Sequence, residues 1–111
     1  MNAADLFAAG GEVSAEPVIR PAKWTNPAGE EKEFEIRILP RNAASTMRAQ
    51  RMAAEFPDRD PLLIYIAAHA QIGNDHQTVG YEQIERLAPT LLAVIVKEVS
   101  AVHGETAPVK N

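Results

Sequence analysis

Apolar and polar positions alternate most regularly at Phe34, Ile36 and Ile38, which are interleaved with Glu33, Glu35 and Arg37. A period of two is that of a half-buried strand with one dry and one wet face. The earlier stretch from Val18 to Trp24 carries strand-forming residues, but it holds Pro21 and follows Pro17. Proline donates nothing to a ladder, so this strand belongs at a sheet edge. Thr25-Asn26-Pro27-Ala28-Gly29-Glu30 between them is turn chemistry, and the two runs together predict a small N-terminal β-hairpin. Two strands alone are marginally stable, so helices or another chain must cover the apolar face.

Beyond this point prolines punctuate the pattern. Pro40, Pro57, Pro61, Pro89 and Pro108 cut the remainder into helix-length pieces, because proline is accepted at a helix start and rejected from its interior. Asn42 to Phe56 is Ala- and Met-rich, with Asn42 placed to cap it. Asp60-Pro61 reads as N-cap and first helical residue of a segment running through Leu62, Leu63, Ile64, Tyr65 and Ile66 towards Gln71. Its apolar residues lie on nearly every side, so it is expected at the centre of the fold. Gly73-Asn74-Asp75 ends it and leads through a polar loop to two turns over Tyr81–Leu87, with Ile84 and Leu87 inward. A last helix over Pro89–His103 stops at Gly104. The fold class expected is therefore α+β, mainly helical: the hairpin followed by about four α-helices. Residues 1–16 are expected to form a flexible N-terminal arm with one apolar pair, Leu6-Phe7; residues 17–104 a single domain; residues 105–111 a polar C-terminal tail.

Composition agrees with one small domain: 111 residues, 46% hydrophobic, with a net charge of −4. The absence of cysteine excludes disulfides, thiolate metal sites and a thiol nucleophile, so packing alone holds the fold. No apolar run reaches the roughly 18–20 residues of a membrane span, and the first residues lack the positive charge of a secretory signal. A soluble cytosolic protein is the expectation.

Candidate chemistry is sparse. His69, His76 and His103 match no compact ligand spacing. Their expected places are, in turn, a polar edge on the apolar helix, a solvated loop and the negative end of the last helix. Ser14, Ser45 and Ser100 lie in no nucleophile motif. Glu30, Glu31, Glu33 and Glu35 are the wet side of the hairpin. Neither Gly10-Gly11 nor Gly29 belongs to a phosphate-binding loop. Neither catalysis, a cofactor nor a metal is expected. The one unusual feature is Arg37, Arg41, Arg48 and Arg51, four cations with no acid between them. In an acidic chain without interleaved aromatics, this cluster suits solvent-facing residues that pair with Glu or Asp elsewhere, or one side of a protein interface, better than nucleic acid.

The order of these features resembles the tail assembly chaperones of long-tailed bacteriophages. The resemblance runs from about Lys32 to Gly104: the strand KEFEIRILPRNA, the apolar helix DPLLIYIAAHAQ, the Gly-Asn-Asp loop, TVGYEQIERLAP and the terminal helix LLAVIVKEVSAVHG. It implies a non-enzymatic protein of the host cell cytoplasm that coats the tape measure protein until the tail tube polymerises around it. The implied partners are the tape measure protein, the major tail tube protein and further copies of the chain itself, with neither nucleic acid nor membrane. Some members are also made in a longer frameshifted form, which Lys110-Asn111 is compatible with encoding. Arg41, Met47, Arg48, Arg51 and Met52 are the candidate partner-binding residues, and Leu6 and Phe7 the candidates for self-association. The competing expectation is a virion component such as a head–tail connector or tail terminator.

Overall fold

The alternating segment forms β2 (Glu31–Ile38), which pairs antiparallel with β1 (Val18–Thr25) along its whole length in the computed structural model, from Val18 opposite Ile38 to Thr25 opposite Glu31. The structure describes residues 1–12 and 16–104, so the polar tail and the Lys110-Asn111 pair lie outside it. The connecting turn is built by Asn26, whose side-chain oxygen accepts the N–H groups of Ala28 and Glu30, and by Gly29 at φ 86°. A side chain at that dihedral would be strained.

Two further strands make the sheet larger than the expected hairpin. β3 (Ala70–Ile72) pairs with the other edge of β2, and β4 (Gln77–Thr78) pairs with β3, giving the antiparallel order β1-β2-β3-β4. About half of the chain is helical and 21% is strand, so helix still predominates. The expected helix over residues 61–71 is correspondingly shorter: α3 spans Pro61–His69 and passes directly into β3. The physical reason is that Ile36–Ile38 would otherwise leave a buried row of backbone groups unpaired, and Ala70–Ile72 pairs with them. A continuous apolar run does not by itself distinguish the two states.

Helix ends follow local chemistry. α2 (Ala43–Glu55) begins with a reciprocal cap between Asn42 and Ser45. Asp60 caps α3 by accepting from Leu62 N, with Pro61 at the first position. A short α4 (Tyr81–Glu85) and the long α5 (Pro89–His103) follow, the latter ended by Gly104 at φ 74°. Within the N-terminal arm, Ala3–Leu6 form α1, one turn capped by Asn2 and Asp5 and continued by a wider helical turn over Phe7–Gly11. Every described residue of the arm is exposed.

α5 lies across the inner face of the sheet. Its start meets β1 through Trp24 Nε1, which donates to Thr90 at 2.9 Å, and its middle through Arg20–Glu98 at 3.0 Å. Beneath it lie Ala22, Ile36 and Ile38 from the sheet, packed with Ile66, Ala67, Ile84, Ile95 and Val99. The outer face carries Lys23, Glu33, Glu35 and Arg37, as the alternation requires. Ile36 is fully buried at the centre of this layer. Replacing it with alanine removes three buried carbons and is expected to cost about 2–5 kcal/mol, read as a lowered urea midpoint at unchanged slope.

Candidate functional site

Four polar side chains gather where the sheet, α2, α3 and the end of α5 meet. Ser45 in the first turn of α2 and His69 at the end of α3 are 0% and 1% exposed, and the Ser45 hydroxyl lies 2.8 Å from His69 Nε2. His69 Nδ1 lies 2.8 Å from the Tyr65 carbonyl, which has no proton, so Nδ1–H donates and Nε2 accepts the one Ser45 hydroxyl proton, for which the Asn42 carbonyl at 3.0 Å competes. The same logic sets His103: its Nε2–H donates to the Leu39 carbonyl at 2.8 Å, and its Nδ1 accepts from the Tyr65 hydroxyl. Leu39 N in turn donates to the His69 carbonyl at 2.8 Å. Among the described residues no buried side-chain nitrogen or oxygen lacks a partner.

A serine hydroxyl bonded to an imidazole has the outward form of a nucleophile and base. Here both groups are sealed from solvent, and the Ser45 oxygen also accepts from Asn42 N, so the pair acts as a structural joint. His69 is not the polar edge that the sequence suggested. Its ring is enclosed because α3 is packed on both sides, and a polar ring on such a helix must find partners inside the fold. His103, expected beside a free helix end, is likewise tied into the core, whereas His76 sits in its loop with Glu35 at 3.0 Å.

Burial pushes both His69 and His103 below the ordinary histidine range. The backbone bonds to Tyr65 and Leu39 act in the opposite sense, while Arg41, and for His69 also Arg48 and His103, lower them further. Burial raises the Tyr65 phenol, and Arg41 partly offsets that.

Beside this joint a groove of about 420 Å³ runs between α2 and α3. Ala49, Ala53, Ile64 and Tyr65 line it, with Thr46 and Gln50 on its α2 side. Arg41, at the start of α2, and Arg59, in the α2–α3 turn, also line it, and no carboxylate does. Arg59 is held in place by two aromatic faces, 3.7 Å above the Phe56 ring and 4.5 Å from that of Tyr81, while the neighbouring Asp60 carboxylate is turned to the cap of α3. Arg41 stands 5.9 Å over the Tyr65 ring. The larger depression over the hairpin, about 570 Å³, is lined by Lys23, Lys97, Glu33, Glu35 and Glu98, so its charges largely compensate one another.

The candidate partner residues are divided by this arrangement. Met47 is 49% exposed, but Met52 turns to the other side of α2 and packs against the core, so the two do not form one face. Arg48 donates to the Ala68 carbonyl at 3.1 Å and neutralises the end of α3. With Arg51 and Met52 it lines a shallow cleft on the side of α2 away from the groove. Arg37 lies on the outer sheet face, bonded to Gln71. Leu6 and Phe7 are 52% and 53% exposed on the arm. The Ser45–His69–Tyr65–His103 joint and Arg59 were not singled out by sequence; the available signal was a histidine four residues after a tyrosine on an apolar helix, and an arginine three after Phe56.

Set against known protein families, curated proteins and solved structures, the chain finds no match. No helix among the described residues is long and apolar enough to cross a membrane.

Because the folded protein binds protons at the buried His69 and the half-buried His103 less readily than the unfolded chain, stability is full above the ordinary histidine value near 6.5 and declines as pH falls below it, until the folded forms titrate. Urea midpoints between pH 8 and 5 are expected to fall in this sense, with a shallower slope in His103→Gln. Ser45→Ala strips a buried imidazole nitrogen of its donor and breaks the α2 cap. The expected loss is about 1–3 kcal/mol at pH 7.5, measured by the same titration.

Proposed function

We propose that this chain is a non-enzymatic chaperone of phage tail assembly, acting in the host cell cytoplasm to keep the tape measure protein soluble until the major tail tube protein polymerises around it. The observation that supports the reading is the exposed surface of α2 and the start of α3, which carries apolar side chains together with arginines on both sides of α2. Met47, Phe56 and Leu62 are each close to half exposed there. Among the described residues the ion pairs join Arg20–Glu98, Lys23–Glu33, Lys32–Glu30 and His76–Glu35, and Arg41, Arg48, Arg51 and Arg59 are in none of them, with Glu55 beside Arg48 and Arg51 and with Asp58, Glu82 and Glu85 around Arg59.

Such a face suits reversible coating of a helical partner. Apolar contacts give affinity without demanding one sequence, methionine adapts to irregular surfaces, and arginine binds carboxylates while its stem covers apolar area. Since Met52 is packed inward, Met47 with Arg51 forms the outward part of the α2 surface and Arg48 flanks it. The chain's surplus of acid elsewhere keeps it soluble while this face is engaged.

Co-expression with a tape measure protein is the direct test. The expected result is a soluble complex that co-purifies, and its loss in the Arg48→Glu, Arg51→Glu double variant. A tape measure protein that stays insoluble and does not co-purify would overturn the reading. Retention of the chain in purified virions at ring stoichiometry would identify a head–tail connector or tail terminator instead.

A further inference from the structure

The arm and the α2–α3 groove are complementary, and each is unfilled within one chain. The arm presents Ala3, Leu6 and Phe7 at the i, i+3, i+4 spacing of one helix face. A short capped helix with two large apolar side chains in water gains from burial, and none of its described residues is buried against its own body. The groove has small residues, Ala49 and Ala53, along its α2 wall, which let another helix approach closely, and its volume is on the scale of a pair of large apolar side chains.

Charge adds direction. The first nineteen residues contain Asp5, Glu12 and Glu16 and neither lysine nor arginine. Asp5, which also caps its own helix through Asn2 N, and Glu12 bracket the Leu6-Phe7 pair in sequence, and Arg41 and Arg59 are the charged residues that line the groove, Arg59 with Asp58, Glu82 and Glu85 on its far side. The helical part of the arm before Gly10, residues 3–9, is about 10 Å long and so fits within α2, which forms the groove's wall and is about 20 Å long.

We propose that the arm of one copy docks in the α2–α3 groove of a second copy, with Leu6 and Phe7 as anchors and Arg41 and Arg59 facing the arm's carboxylates. The contact is heterologous, arm to groove, so each subunit that gives its arm keeps its own groove for the next, and the assembly grows into a ring or a filament. It is a helix-in-groove interface of the kind that places a few apolar anchors in a shallow cleft. The inference does not rest on the tape measure reading, because its measurement involves this chain alone.

The test is sedimentation of the full chain over a concentration series, in low and high salt. The wild type is expected to self-associate, more weakly in high salt because the charges at the groove are exposed. Leu6→Asp/Phe7→Asp removes the anchors, and Ala53→Phe fills the groove at an exposed helix position. Each is expected to weaken association at least about tenfold while circular dichroism shows an intact fold. Mixed one to one, the two variants are expected to form a heterodimer and stop there, since only one intact arm and one intact groove remain to meet.

Any of three results would overturn the proposal. A wild type that is monomeric up to about 0.1 mM, above the micromolar range of specific interfaces, removes the contact. Unchanged association in either folded variant places it elsewhere. Failure of the mixture to dimerise shows that arm and groove are not partners.

Discussion

The hydrogen-bonded joint of Ser45, Tyr65, His69 and His103 holds together elements that have little else in common. α3 ends at His69 and the chain turns at once into β3, so the last carbonyls of the helix would be left without partners in the interior. They are taken up by unlike donors: the His69 ring at Tyr65, the Arg48 guanidinium at Ala68 and the Leu39 amide at His69 itself. Each donor comes from a different part of the chain. The end of β2, the first turns of α2 and the end of α3 are thereby locked to one point, and His103 brings the last turn of α5 to the same place. Neutral imidazoles suit this role because each supplies one donor and one acceptor in fixed positions.

This joint explains why α2 can remain so exposed. Only Ser45 is buried in the helix, with Met52 and Arg48 half-covered, and most of the other α2 side chains face water. A helix with so narrow a buried stripe needs other attachments, and the cap, the Ser45–His69 bond and the Arg48–Ala68 bond provide them at its root and middle. The outer surface is thus left unconstrained by the core. Side chains on such a surface change without loss of fold.

Charge is divided in the same way. The wet side of the hairpin collects carboxylates, several of them paired with lysine or histidine, while the arginines around α2 form no such pair and have Glu55, Asp58, Glu82 and Glu85 as neighbours. Arg59 is fixed by the rings of Phe56 and Tyr81, which flank it, and Asp58, Glu82 and Glu85 line the same depression.

Local chemistry was readable wherever it acts within a few residues. The β1–β2 turn, the caps at Asn42 and Asp60, the prolines that open α3 and α5 and the stop at Gly104 all follow from dihedral limits and short-range hydrogen bonds that the sequence by itself determines. The alternation of β2 likewise determined which face is dry. What only the tertiary structure decided are the contacts made across long separations: the strand fate of Ala70–Ile72, the burial of His69 against Ser45, the inward turn of Met52 and the meeting of Arg41 with Arg59 around one groove. An apolar run has no period that separates strand from buried helix, and a histidine's partner 24 residues away leaves no mark on its neighbours. Those outcomes were set by the unpaired edge of β2 and by the need to satisfy every polar group that packing enclosed.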